Sequence, residues 1–291
     1  MTAGVIDIHP HIIADDAQRF PRVPLFGVQS DWSRERPVTV EGLISAMDEA
    51  GVVKAAIVQS STCYGYDNSY LVDSIARYRG RFTGVGSVDE CQENACERIL
   101  YWVRLGVTGL RLFTGGSTAA FDPSTLDDPR SFAAWALCGE LGLSMCIQTD
   151  PSGLAQVAGL AKRFPRVNII LDHLGRPDIS DGPPYRRASS LFSLSAFENI
   201  FLKLTPRIFG EVQRANASAE TFFPRLVALF GSHRLAWGSN FPASEGRLKD
   251  NLEKARKALA CLSAEDQAWI FGMTGQRLYP ALADVASRAR A

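Results

Sequence analysis

Asp7, His9 and His11 stand two residues apart in Val5-Ile6-Asp7-Ile8-His9-Pro10-His11. On an extended strand, residues i, i+2 and i+4 share a face. This spacing predicts that the three point one way, and that Ile6 and Ile8 point the other way onto helices. Two imidazoles placed so can converge on one metal ion or one water. Three polar side chains on an inward face cost free energy unless they are used. Leu110 and Leu112 flank Arg111, and Leu202 and Leu204 flank Lys203. Both cations should therefore face inward, where each needs an anionic partner from the protein or a substrate. Gln148 closes an apolar run, and Asp150 follows it. His173 closes another, with Asp172 beside it expected on the opposite face. Asn240 closes the last, inside Trp237-Gly238-Ser239-Asn240-Phe241-Pro242.

The elements that must position these residues are short and regularly spaced. Apolar runs of strand length fall at 5–9, 54–59, 82–88, 107–113, 143–148, 167–173, 200–205 and 234–240. Helical patterns lie between them at 39–50, 68–79, 92–105, 130–141, 152–164, 186–197 and 219–230. Two more, at 246–260 and 264–271, and a last helix from Thr274 close the chain. Alternating strands and helices indicate a parallel sheet, and eight units are the number that closes a (β/α)₈ TIM barrel. A doubly wound open sheet would usually show G-x-G-x-x-G after its first strand, where this chain has His-Pro-His. We expect one α/β barrel domain over residues 1–291, with additional C-terminal helices. The C-terminal strand ends of such a barrel form its active-site face. Three of the four histidines fall there; His233 belongs at the opposite end.

Composition excludes several classes. The 291 residues are 46% hydrophobic and 21% charged, with 31 Lys+Arg against 31 Asp+Glu. That balance is neither disordered nor fibrous, and it lacks the basic footprint of a nucleic-acid or membrane-surface binder. No apolar run approaches the roughly 20 residues that span a bilayer. The start of the chain shows no secretory pattern, and the six cysteines form no C-x-x-C pair. Buried free thiols in a reducing cytoplasm are the expectation. Trp32, Trp102, Trp135 and Trp269 read as packing residues, and Gly115-Gly116-Ser117 as a loop.

The D-x-H-x-H element at Asp7, His9 and His11, D-H-x-G-R-P at His173 and Arg176, and W-G-S-x-x-P at Asn240 together resemble the amidohydrolase superfamily, in its amidohydrolase-2 branch. The resemblance runs from the first strand to the last. Ile57-Val58-Gln59-Ser60-Ser61 with Asp67-Asn68, and Lys203-Leu204-Thr205, look most like the 2-pyrone-4,6-dicarboxylate and sugar lactonases. The resemblance implies a hydrolase in which water opens a carboxylated lactone or related cyclic ester. It implies catalytic roles for His9, His11, His173 and Asn240. It places substrate carboxylate on Arg111, Arg176 and Arg207, since a guanidinium fork pairs bidentately with a carboxylate. Lys203 would add positive potential. Gln59, Gln148 and Tyr64 would join in binding substrate, with Tyr64 and Tyr66 lining the mouth. A homo-oligomer is expected by analogy only.

Most members of the branch carry aspartate where this chain has Asn240. An amide cannot accept a proton near neutral pH, so Asn240 is not that base. Three alternatives follow. One divalent ion, zinc or manganese, sits on His9, His11 and His173 and lowers the pKa of bound water to about 7. Or no metal is bound and an imidazole is the base. Or the chain binds ligand without turning it over. Gln148 does not suit a bridging ligand, so two metals are not expected. The branch also holds metal-dependent decarboxylases of aromatic acids, which is the rival lyase reading.

Overall fold

Each of the eight apolar runs falls on a strand, the second of which begins two residues before its run, at Val52. The computed structural model describes residues 4–214 and 216–283. The strands are β1 Val5–Asp7, β2 Val52–Val58, β3 Phe82–Gly86, β4 Val107–Phe113, β5 Ser144–Gln148, β6 Ile169–Leu171, β7 Ile200–Leu204 and β8 Leu235–Trp237. They pair in parallel in the order of the chain. Between β8 and β1 the seam is drawn together by Ile8 N, which donates to the Trp237 carbonyl at 3.3 Å. The result is a nearly closed eight-stranded barrel with helices outside.

Alternation along the strands sorts the core into two layers. Leu110, Leu112, Met145 and Ile147 face outward into a large cluster with Trp135, Leu160 and other helix residues. The inner layer is smaller. Arg111 lies opposite Cys146, Cys146 opposite Ile170, and Ile170 opposite Phe201. Ile6, Ile8, Val58 and Ala236 join that layer, together with Leu278, Tyr279 and Leu282 from the C-terminal segment. Ser144 Oγ donates to the Leu278 carbonyl at 3.0 Å, and Lys54 Nζ to that of Leu282 at 2.9 Å. Both contacts lie at the N-terminal ends of their strands. The C-terminal segment therefore plugs that end of the barrel and leaves the other end for the site.

The helices follow their apolar spacing. Val40–Ala50 is capped by Thr39, whose hydroxyl accepts from Gly42 N, and stopped by Gly51 at φ 73°. The expected helix over 186–197 breaks up instead. Only Ser189–Ser193 is α-helical, between two 3₁₀ turns. Its serines compete with the helix for backbone groups, as Ser193 Oγ does by donating to the Ser189 carbonyl. Three short helices had no periodic signal: Asp31–Glu35, Ser61–Tyr64 and Pro206–Glu211. All follow the C-terminal ends of strands. The end of the last expected helix lies outside the described residues.

All six cysteines are free thiols. Cys63, Cys138 and Cys146 are buried, Cys91 and Cys96 half-buried, and Cys261 exposed, so burial holds for only some of them. Among the described residues no helix is long and apolar enough to cross a membrane.

Candidate active site

Strand parity fails at the first motif. The β1–β2 register slips between Val5 and Ile6, and Asp7 lies opposite Ala55, which belongs to the outer set. Ile6 and Ile8 are the inward residues. The expectation that Asp7 shares a face with His9 and His11 is corrected accordingly. Asp7 Oδ1 accepts from His9 N at 2.9 Å and from Ser239 N at 2.8 Å. It clasps the end of β1 to the end of β8. Burial pushes its carboxyl up to about 6, against those hydrogen bonds. The chain turns at this clasp, and His9 and His11 then swing inward.

A second departure sits after β6. Ile170 is an inner-layer residue, so Asp172, two positions on, also points in. His173, Leu174 and Arg176 then adopt left-handed backbone at φ 54°, 56° and 54°. Such strain in non-glycine residues persists only where surrounding structure holds it. The turn delivers His173 to the same cavity. The expectation that Asp172 faces away is therefore wrong: it is fully buried and forms the hub of the site.

Asp172 Oδ1 meets Lys203 Nζ at 2.6 Å, and Oδ2 accepts from Arg111 Nε at 2.9 Å. His9 Nδ1 stands 3.5 Å from Oδ1. The flanking cations hold the Asp172 carboxyl well below the usual range even though burial opposes this. Lys203 is fully buried, with Cys146 Sγ at 3.5 Å. Arg111 Nη2 donates to Gln148 Oε1, and Gln148 Nε2 donates to the Gly115 carbonyl at 2.8 Å. Gly116 is tied to this contact, because a Cβ there would lie 2.7 Å from Gln148 Nε2.

The imidazoles of His9 and His11 lie 4.9 Å apart between centroids, and those of His9 and His173 5.1 Å. His11 Nδ1 lies 2.8 Å from the Val58 carbonyl. A carbonyl only accepts, so Nδ1 carries the hydrogen and Nε2 keeps its lone pair. His173 Nδ1 pairs with Thr205 Oγ1 at 2.8 Å, a partner that serves either tautomer. Burial, then the Arg111 charge, lowers His11 to about 3. Burial, reinforced by Arg111 and opposed by Asp172, lowers His173 to about 3. His9 is pushed well below its ordinary value by burial and by Lys203. All three are neutral at pH 7.

Above this floor opens a cavity of about 190 Å³ lined by His11, Trp32, Arg111, Gln148, His173, Arg176 and Asn240, among others. A second, of about 400 Å³, shares His173, Arg176 and Asn240 and adds Arg207 and Arg214. Arg176 thus stands between them. Its guanidinium lies 4.7 Å from the Phe121 ring, and among the described residues no carboxylate pairs with it. Burial and the charges of Arg207 and Arg111 hold it below its ordinary value. Arg207 is exposed and paired with Glu211 at 2.9 Å. Asn240, at φ 51°, donates from Nδ2 to Ser244 Oγ.

Other expected residues lie elsewhere. Tyr64 is in the packed core, where its hydroxyl accepts from Ala14 N. Gln59 is spent on its own loop, donating to the Gly65 and Asp67 carbonyls. Tyr66 lines a neighbouring cavity of about 310 Å³. His9 and Lys203 lie beneath the cavity floor rather than in its wall. Trp32, read as packing, faces His11 at 5.2 Å and lines the site. Only its neighbourhood in the fold reveals this. Asp172 was legible in principle: counting by twos from Ile170 places it inward.

The donor set bears on the two metal alternatives. Among the described residues no three His, Cys, Asp or Glu side chains are grouped to hold an ion. The one carboxylate beside the imidazoles is taken by Lys203 and Arg111, and the strand-eight position is an amide. Neutral nitrogens beside two buried cations suit an anion better than a divalent ion. The residues do not fit a resident metal, and no step is routed through one.

Glu90, in the wall of the neighbouring cavity, buries Oε1 without a partner. Burial pushes its carboxyl up to about 8. The folded chain then holds a proton that the unfolded chain releases above its ordinary value, so stability falls as pH rises from about 4.5 to about 8. Glu90→Gln should raise the melting temperature by a few degrees at pH 8 and leave it nearly unchanged at pH 4.5. Equal shifts at both pH values in thermal unfolding would contradict this.

Comparison with known proteins places this fold. L-fucono-1,5-lactonase from Burkholderia ambifaria is 26% identical over 247 residues, covering 82% of this chain and 80% of that one. The crystal structure of a candidate 2-pyrone-4,6-dicarboxylic acid hydrolase from Pseudomonas putida superposes with a TM-score of 0.76 at 22% identity, covering 98% and 100% of the two chains. An amidohydrolase from Burkholderia multivorans with bound zinc gives 0.75 at 20% identity, over 96% and 99%. The amidohydrolase family model matches residues 6–281, and the chain belongs to that family.

Proposed function

We propose that this chain is a hydrolase that opens a small carboxylated lactone or related cyclic ester with water, without a bound metal. The observation that carries the reading is Arg176, a half-buried guanidinium that no carboxylate among the described residues contacts as an ion pair, set between two adjoining cavities beside Arg111 and Arg207. A cation in that state calls for an anion, and a substrate carboxylate supplies one. The similarity to a lactonase supplies the ring ester. In the reaction, His11 Nε2 takes a proton from a water that the Asn240 carboxamide orients. The water oxygen bonds to the lactone carbonyl carbon. His173 and the cations on Asp172 stabilise the oxyanion. The ring C–O bond breaks, and the leaving oxygen receives the proton from His11, which yields a hydroxy acid. The free thiols suit a reducing cytoplasm. No observation favours decarboxylation, which would leave the base and the water position unexplained.

The test is a panel of carboxylated lactones assayed beside their methyl esters. Carboxylated members should be preferred by about 10–100-fold in kcat/KM, the worth of one charge-assisted hydrogen-bonded pair. No turnover across the panel, or equal turnover of the esters, overturns the proposal.

A further inference from the structure

We infer that the Lys203 ammonium is the resident cation of this site, and that it occupies the place a divalent ion would otherwise take between Asp172 and His9. It rests on the site described above, and deepens the reading of that site as metal-free. Lys203 Nζ lies 2.6 Å from Asp172 Oδ1, and His9 Nδ1 faces the same oxygen at 3.5 Å. Ammonium and imidazole nitrogen thus meet at one carboxylate oxygen, and that oxygen with that nitrogen is a donor pair a metal would use. Here the cation is covalently attached to β7. Beyond the long contact of Nδ1 with Asp172, His9 is buried, and its Nε2 has no hydrogen-bond partner among the described residues, which is costly unless the ring serves the site. A Cβ at Gly238 would come within 2.6 Å of His9 Cβ and 3.4 Å of Lys203 Cγ, so the glycine backbone packs closely against the stems of both side chains.

Charge gives the same answer as position. A second cation would enter beside the positive charges of Lys203 and Arg111, with one carboxylate to share among them. Removing the lysine head group reverses both terms. It frees Asp172 Oδ1, uncovers His9 Nδ1 and empties the volume between them.

The experiment is a zinc titration of chelator-stripped protein, read by calorimetry and by elemental analysis after gel filtration. Wild type should hold no stoichiometric zinc that depends on His9. Lys203→Ala should bind one zinc per chain at least about tenfold more tightly, and adding His9→Ala should abolish that gain. Circular dichroism reports whether each variant folds. If Lys203→Ala does not fold, Lys203→Gln, which keeps a hydrogen bond to Asp172, carries the same expectation. Stoichiometric zinc on wild type, lost in His9→Ala, overturns the inference. So does a folded, charge-free variant that binds zinc no better than wild type. Neither readout uses lactone turnover, so a chain that hydrolyses no lactone leaves this result interpretable.

Discussion

Asp172→Asn should lower the melting temperature by about 10 °C and kcat/KM by at least about 100-fold. The stability arm follows from burial. Lys203 is fully buried and Arg111 is 5% exposed, and both lean on this carboxylate. Removing one partner of a buried pair strands the other charge and costs about 3–5 kcal/mol. In a protein of this size each kcal/mol moves the midpoint by roughly 2–4 °C. The activity arm follows from position. Arg111 reaches the cavity wall only while Asp172 and Gln148 fix its guanidinium. The double variant Asp172→Asn, Lys203→Met should recover part of the lost stability, since the stranded ammonium is gone, but none of the lost activity. Thermal unfolding and steady-state kinetics on the three proteins check this. A single variant as stable as wild type would show that the ion cluster is not the keystone of the floor.

Parity counted from Ile170 places Asp172 inward, and parity counted back from His173 places it outward, because regular strand ends between them at Leu171. Arg111 and Lys203 lie within strands, flanked by leucines, and there a period of two holds without exception. His9, His11 and His173 lie just beyond strands that stop at Asp7 and Leu171. Beyond those points the direction of a side chain depends on turns. One turn is set by the Asp7 clasp, the other by four successive left-handed residues, 173–176. Neither leaves a periodic trace. Motif chemistry still named the right imidazoles, because a histidine that must meet others at one barrel mouth has few places to be. Parity assigned them to faces for the wrong reason. The barrel itself was legible because eight apolar runs at even spacing admit few parallel arrangements. Trp32 and Arg207 show the opposite limit: each rides a helix of five or six residues in a strand-to-helix loop, too short for any apolar pattern.

The largest kinetic effect is expected at His11. His11→Ala should cut kcat/KM by about 10²–10⁴, the usual worth of a positioned general base. The pH profile separates a base from a merely structural ring. In the free protein His11 and His173 are held at about 3, first by burial and, for His11, next by Arg111. A profile of kcat/KM, which reports free-enzyme groups, should therefore be level across pH 5–8, with no break near 6.5. Substrate binding changes this balance. A carboxylate seated on Arg111 and Arg176 compensates the Arg111 charge that, after burial, depresses the ring, so His11 becomes more basic in the complex. The acid limb of kcat should then lie at higher pH than that of kcat/KM. Arg176→Met, which loosens the seat of the substrate carboxylate beside Arg111, should shrink the separation as well as raise KM. A break at 6.5 in kcat/KM, or limbs that coincide for both parameters, would mean that the imidazole is not titrated by its substrate. The base would then have to be sought among groups outside this cavity.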